Sequence, residues 1–410
     1  MIKSIKKRIL AMIKIKYFSL ISAILLLNSG CIKRQPETVT PHSNPNNIPI
    51  AQTYPMPPTQ QIPYHSTPIY TNTITPIVID TQPQYIPQRT PYLRGAYASN
   101  YKLKQIINNI ASKYNIDRYE LNAIFSTVNR DTIALDKYNV YKTRKPTIAK
   151  TSQPGSWNKY RAQFVNPSHI QKGVQFWREN ANWLNMAAYK YGVDPAYIVG
   201  IIGVETNFGG FTGKHSVLDA LTTLALEYKK RSKFFTSELE NYILLTKEQR
   251  IHPQSIKGSY AGAFGLAQFM PSSFREYAVD FNGDGHKNLF DPADAIGSIA
   301  NYFQKKGKWN PRIPVAMLVY YNKKRFYGIP TGFKTTYSQR YLYNLGMRPS
   351  SNFYGYKGPV SLIKLSKYDR DELWWGTPNF RAITRYNPKD YYAMAVHQLG
   401  QEIKKAYYGR

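Results

Sequence analysis

Acidic residues, cysteine and long apolar runs are all scarce in this 410-residue chain. Asp and Glu number 24 against 55 Lys and Arg, a formal charge of +31. That imbalance predicts affinity for polyanions, whether nucleic acid, anionic lipid or an acidic cell-wall polymer, and charge alone does not choose among them. A residue usage tilted toward Lys, Asn, Ile and Tyr throughout accounts equally for the excess. A single cysteine, Cys31, excludes an intramolecular disulfide. The apolar run "YFSLISAILLL" at 17–27 is shorter than a membrane span needs. What the chain has in plenty is tyrosine, 35 residues, and a hydrophobic share of 42%, enough for a packed interior. Its length suggests two or three domains.

Residues 1–16 carry six basic residues and no acid, the short apolar run follows, and then comes "NSGC". This arrangement resembles the signal peptide of a bacterial lipoprotein, which predicts cleavage after residue 30 and a lipid on Cys31. Asn28 stands where an apolar residue is usual, with Leu27 one place further back. Between Ile32 and Leu93 lie 13 of the 27 prolines, among Thr, Gln, Asn and Ser. Such a segment buries too little apolar surface to order itself and favours extended conformations. Residues 31–96 are therefore expected to be a disordered tether, reaching on the order of 40 Å as a flexible coil.

From about residue 97 the pattern turns helical. "LKQIINNIASKY", "QFWRENANWLNMAAYKYG", "SVLDALTTLALEYKKRSKFFTSELENYILLTK" and "PADAIGSIANYFQKKG" place apolar residues at three- and four-residue spacing. Beyond Trp309 the short runs "VAMLVYY", "VSLIKLS" and "FRAITRY" predict strands of a small sheet, and "YYAMAVHQLGQEI" returns to helix.

Three stretches carry chemistry. In "DPAYIVGIIGVETNFGG", residues 194–210, Asp194 and Pro195 start a helix that Gly209 and Gly210 can end. No charge occurs from Tyr197 to Val204, so the helix should be buried, and a carboxylate at its end, Glu205, calls for a task. Desolvation and the negative end of the helix dipole both favour the neutral form, a proton donor near neutral pH. In "DFNGDGHKNLFDPAD", residues 280–294, Asp280, Asn282 and Asp284 occupy alternate positions of an EF-hand-type loop. Gly285 allows the sharp turn and His286 offers a backbone carbonyl. The twelfth position is Asp291, and either it or Asp294 completes the shell. In "GSYAGAFGLAQFMPSSF", residues 258–274, small residues permit close backbone approach while Ser259 and Gln268 supply polar tips; a glycine-rich packing seam would look the same.

Together "VGIIGVETNFG", "LDALTTLALEY", "FFTSELE", "GSYAGAFGLAQFMPSSF", "YAVDFNGDGHKNLFDPADAIGSIANYF" and "TPNFRAITRYN...YYAMAVHQLGQ" resemble the ordered motifs of the membrane-bound lytic murein transglycosylase B family, glycoside hydrolase family 103. The resemblance covers roughly residues 157–403. It implies a mainly α protein: a lysozyme-like helical core, a larger helical domain and a small antiparallel β-domain. On this sequence the divisions fall at 97–195 for the N-terminal helical region, 196–308 for the core with its loop, 309–385 for the β-domain, and 386–410 for a C-terminal cleft segment and helix. The implied activity cleaves the bond between N-acetylmuramic acid (MurNAc) and N-acetylglucosamine (GlcNAc) in peptidoglycan without water, leaving a 1,6-anhydromuramoyl end. The resemblance carries the catalytic acid onto Glu205 and sugar contacts onto Tyr160, Ser259, Gln268, Tyr302, Tyr386, Asn387 and Tyr392. It carries a structural Ca2+ onto Asp280, Asn282, Asp284, the His286 carbonyl and Asp294; the chemistry itself needs no cofactor. "YNPKDYY" replaces a more usual serine-containing run after the Tyr-Asn pair.

Glycoside hydrolysis ordinarily employs two carboxylates. Asp194 and Asp219, the acids nearest Glu205 in sequence, read as a helix cap and a helix-surface residue. A lone acid suits an internal attack by the muramoyl C6 hydroxyl. The competing readings are a hydrolytic muramidase, a non-catalytic peptidoglycan-binding lipoprotein and, last, a DNA-binding protein, which an export signal disfavours. The expected protein is a monomer in the periplasm, tied to the outer membrane through Cys31, binding peptidoglycan and no nucleic acid.

Overall fold

The computed structural model describes residues 88–143, 153–322, 326–351 and 355–409. The signal segment, Cys31 and all but the end of the tether lie outside them. The first helices are α1 (Tyr101–Tyr114), α2 (Arg118–Ser126), α3 (Thr132–Thr143), α4 (Ser156–Arg161), α5 (Pro167–Glu179), α6 (Ala181–Tyr191) and α7 (Pro195–Thr206). After them come α8 (Val217–Glu227), α9 (Ser232–Glu248), α10 (Pro271–Tyr277) and α11 (Pro292–Lys305). Two stretches read as continuous are broken. Asn180 separates α5 from α6, its side-chain amide donating to the Phe176 carbonyl at 2.9 Å, and a 3-10 turn at Lys229–Arg231 separates α8 from α9.

Helix α7 is the axis of the body. Asp194 accepts from the Ala196 amide and Pro195 occupies the first turn, as the spacing predicts. Every residue from Ala196 to Val204 is buried. Burying each of Ile198, Val199, Ile201, Ile202 and Val204 contributes about 1.5–3 kcal/mol before entropy is charged. The helix ends one turn earlier than its glycines suggest: Asn207 and Phe208 take φ of 53° and 57°, the left-handed conformation that closes a helix.

The last helix, α14 (Asp390–Tyr407), lies across α7. Two glycines set how close. A Cβ on Gly200 would stand 2.7 Å from the Val396 carbonyl oxygen, and one on Gly400 would stand 2.2 Å from that of Ala196. No larger residue fits either place, so the backbones meet and side chains near the crossing reach from one helix to the end of the other.

Between α11 and α14 the chain forms β3 (Ala316–Tyr321), α12 (Gln339–Asn344), β4 (Met347–Pro349), β5 (Ser361–Ser366), β6 (Asp371–Gly376) and α13 (Pro378–Tyr386). The four strands make one antiparallel sheet in the order β4-β3-β6-β5, with Ala316 and Ser361 both opposite Gly376. Alternation divides its faces. Met317, Val319, Leu362, Leu373 and Trp375 build a separate small core, whereas Ile363 and Leu365 join the main helical one. A two-residue ladder, β1 (His215–Ser216) with β2 (Lys257–Gly258), pins the glycine-rich stretch beside α8.

"FRAITRY" is helix, not strand. The Thr377 side chain accepts from the Asn379 amide and Pro378 takes the first turn, a start signal that outweighs the local β-branched composition. Asn379, Phe380, Ala382, Ile383 and Thr384 are then buried, which only a helical period permits.

Candidate active site

Glu205 occupies the last turn of α7 and is half-buried, while its neighbours Val204 and Thr206 are buried. Thr206 braces the helix end, its Oγ1 donating to the Ile202 carbonyl and accepting from the Gly209 amide, both at 3.0 Å. Tyr392, 1% exposed, comes from the first turn of α14 and donates its hydroxyl to Oε1 of Glu205 at 2.6 Å.

Two further tyrosines face the same carboxylate. Burial raises the pKa of Tyr160, Tyr386 and Tyr392, and the Glu205 charge raises each further, so all three stay neutral donors. Glu205 is the carboxylate whose charge acts on all three hydroxyls. Tyr386, at the end of α13, donates to the Ala267 carbonyl and so ties the glycine-rich stretch to the site. The buried Tyr160 hydroxyl and the Asn387 Oδ1 have no hydrogen-bond partner among the described residues. Two such atoms in one region leave polar capacity that a ligand can satisfy.

The remaining predicted sugar contacts are more engaged with their own surroundings. Gln268 has φ +49°, and its Nε2 donates to the Thr212 and Gly265 carbonyls at 3.0 and 2.9 Å. Ser259 Oγ accepts from the amides of Ala261 and Ala263 at 3.3 and 3.1 Å. Tyr302 is buried, its hydroxyl donating to the Arg385 carbonyl at 2.7 Å and its ring 4.9 Å from that of Tyr386, edge to face. Here it backs Tyr386. Tyr391 is a supporting residue that spacing alone does not single out. Its ring lies 5.7 Å from Tyr160, and its hydroxyl meets Ser156 Oγ at 2.9 Å and accepts from the Ser366 amide at 3.2 Å. The only signal for it is the Tyr-Tyr pair at the head of the last helix.

The loop between α10 and α11 is closed by its acids. Asp280 accepts from the amides of Gly283, Asp284 and Gly285, and Asp284 from that of His286. Asp294, fully buried, accepts from Phe281, Asn282 and Asn288, at both ends of the loop. Asp291 instead caps α11 through the Ala293 and Asp294 amides. Among the described residues no three His, Cys, Asp or Glu side chains gather as a metal cluster. The donor set of the loop is of another kind: carboxylates, the Asn282 amide and the His286 carbonyl, all hard oxygens that suit Ca2+.

A lysozyme-like helical body with one glutamate at the end of a buried helix, ringed by tyrosyl hydroxyls, defines an enzyme that acts on glycan strands. The chain belongs to the transglycosylase SLT domain family, which matches residues 99–401, and is a lytic transglycosylase. It is 43% identical over 315 residues, 76% of its length, to the membrane-bound lytic murein transglycosylase B of Escherichia coli, of which it covers 85%. Among solved structures it resembles the E. coli lytic transglycosylase Slt35 in complexes with bulgecin A and with calcium. In each case the TM-score is 0.71 and the identity 42%, covering 77% of this chain and 97% of that one. It also resembles Pseudomonas aeruginosa SltB3 bound to NAG-anhNAM-pentapeptide, with a TM-score of 0.65 and 27% identity over 74% of this chain and 79% of that one. No described helix is long and apolar enough to cross a membrane.

Proposed function

We propose that the chain cleaves the MurNAc-GlcNAc β-1,4 bond of peptidoglycan without water, with Glu205 acting first as acid and then as base. The observation that carries this reading is the half-buried Glu205 carboxyl at the end of a buried helix, held by Tyr392 at 2.6 Å. Glu205 protonates the departing glycosidic oxygen as positive charge develops at C1 of the muramoyl ring. The carboxylate then takes the proton of the C6 hydroxyl as that oxygen bonds to C1 of its own ring, closing the 1,6-anhydro bridge. Protons balance: one leaves Glu205 for the leaving sugar and one returns from C6. Tyr392 steadies Glu205 through both steps, and Tyr160 and Asn387, whose hydroxyl and Oδ1 have no partner among the described residues, take sugar hydroxyls or the acetamido group. In this reading Ser259, Gln268 and Tyr386 contact further sugar units, and Tyr302 supports Tyr386 from behind.

Asp280, Asn282, Asp284, the His286 carbonyl and Asp294 would hold Ca2+, which would supply cross-linking of the loop rather than chemistry. The proposed organisation follows the sequence: signal to residue 30, tether 31–96, helical region 97–195, core 196–308, β-domain 309–385 and cleft segment 386–410. The words "membrane-bound" in the name of the E. coli relative and the "NSGC" motif support a periplasmic enzyme held at a membrane, the outer one in this reading, through a lipid on Cys31. The test is the mass of products released from purified murein: anhydromuramoyl ends support the reading, and reducing ends, heavier by one water, sink it.

A further inference from the structure

The last motif contains a carboxylate that this chemistry does not use. In "YNPKDYY", residues 386–392, Asp390 stands two positions before Tyr392 and begins α14. That helix starts without help from its own side chains, because Lys389 at the N-cap makes no capping bond. An uncapped first turn is where a helix opens most readily, and this one carries Tyr391 and Tyr392.

The turn is held from outside. Asp390 Oδ1 accepts from the Phe333 amide at 2.9 Å, in the segment between β3 and α12. A Cβ on Gly332, whose φ is +108°, would lie 2.9 Å from Asp390 Oδ2, so glycine is what lets the two chains approach. The segment is itself fixed to β5: the Gly332 amide donates to the Leu362 carbonyl at 2.7 Å, and Ser361 Oγ donates to that of Phe333 at 3.3 Å. A continuous line of bonded groups thus runs from β5 through Gly332 and Phe333 to Asp390, and two residues later to the Tyr392-Glu205 bond. Burial disfavours charge on Asp390, opposed by the Phe333 amide and by Lys389 and Lys334. A half-buried carboxylate kept at such a place calls for a role.

We propose that Asp390 is a positioning residue: it clamps the Gly332-Phe333 segment to the start of α14 and thereby holds Tyr392 where its hydroxyl engages Glu205. The inference rests on the reading of Glu205 as the acid.

The test compares Asp390→Ala, Asp390→Asn and Gly332→Ala in the full chain by release of anhydromuropeptides. A misplaced catalytic constellation costs roughly tenfold to a hundredfold in kcat, and Asp390→Ala is expected to show that loss with KM changed less than about threefold. Asp390→Asn keeps an oxygen for the Phe333 amide and should recover most of the rate. Gly332→Ala, on the far side of the contact, should repeat the loss without altering α14. Amide exchange at Ala393 and Met394, the first amides bonded within the helix, reads the clamp independently of activity: protection should fall in Asp390→Ala and return in Asp390→Asn. Wild-type kcat and protection in Asp390→Ala would overturn the proposal, as would an Asn variant no better than Ala. Failure of the Glu205 reading would look different, with no anhydromuramoyl product from the unaltered protein while the exchange results stood.

Discussion

Tyr392 donates to Oε1 of Glu205 at 2.6 Å, from a helix that reaches the end of α7 only because Gly200 and Gly400 let the two backbones touch. A neutral donor thus helps to orient the acid. Removing that bond separates orientation from the acid itself. A hydrogen bond to a charged group is worth about 1.5–3 kcal/mol, so Tyr392→Phe should lower kcat roughly tenfold to a hundredfold. The ring stays in place, so the melting temperature should fall by no more than several degrees, the share of that bond that reaches stability; steady-state release of muropeptides with a parallel thermal melt checks both.

The crossing predicts a stability effect with no polar group involved. Gly400→Ala puts a methyl 2.2 Å from the Ala196 carbonyl oxygen. Overpacking of this sort costs about 1–3 kcal/mol, and urea unfolding should show it as a lower midpoint with an unchanged slope. An unaltered midpoint would mean that the helices separate freely.

Much of the site is legible in the sequence, and the reasons are local. The uncharged run before Glu205 and its Asp-Pro start fix α7, and the short β-branched and aromatic runs "VAMLVYY" and "VSLIKLS" mark β3 and β5. "FRAITRY" misleads because its start signal lies outside the run, in Thr377 and Pro378, while its own composition favours strand. Strand β6, "DELWWG", hides because acids lead it and burial begins only at Leu373. Tyr391 and the Asp390 clamp are not legible, since each depends on residues far away in the chain: Ser156, Ser366 and Phe333.

The loop between α10 and α11 should couple cation binding to folding. Asp294→Ala strands three backbone amides, those of Phe281, Asn282 and Asn288, and should cost roughly 3 kcal/mol. Chelation should lower the melting temperature of the unaltered protein and leave that of Asp294→Ala nearly unchanged. Calorimetry with and without chelator and added Ca2+ checks this, and a melt indifferent to chelation in both proteins would refute a structural ion.

Acid lability has a definable source between α7 and α14. His397 is buried beside Tyr197, whose hydroxyl is 3.1 Å from Nδ1, and burial pushes the imidazole down to about 4 from 6.5. The unfolded chain therefore takes up this proton first. Stability from neutral His397 is complete above about pH 6.5 and falls by about 3 kcal/mol as pH drops toward 4. His397→Gln should flatten that part of the pH profile relative to the unaltered protein, as urea unfolding across this range would show; identical slopes would exclude His397 as the cause.

The most direct test of the account is mass spectrometry of the muropeptides released from purified peptidoglycan by the protein and by its Glu205→Gln variant. The account predicts 1,6-anhydromuramoyl ends from the first and none from the second, with both proteins folded. Reducing-end products, or anhydro products that survive the substitution, would contradict it.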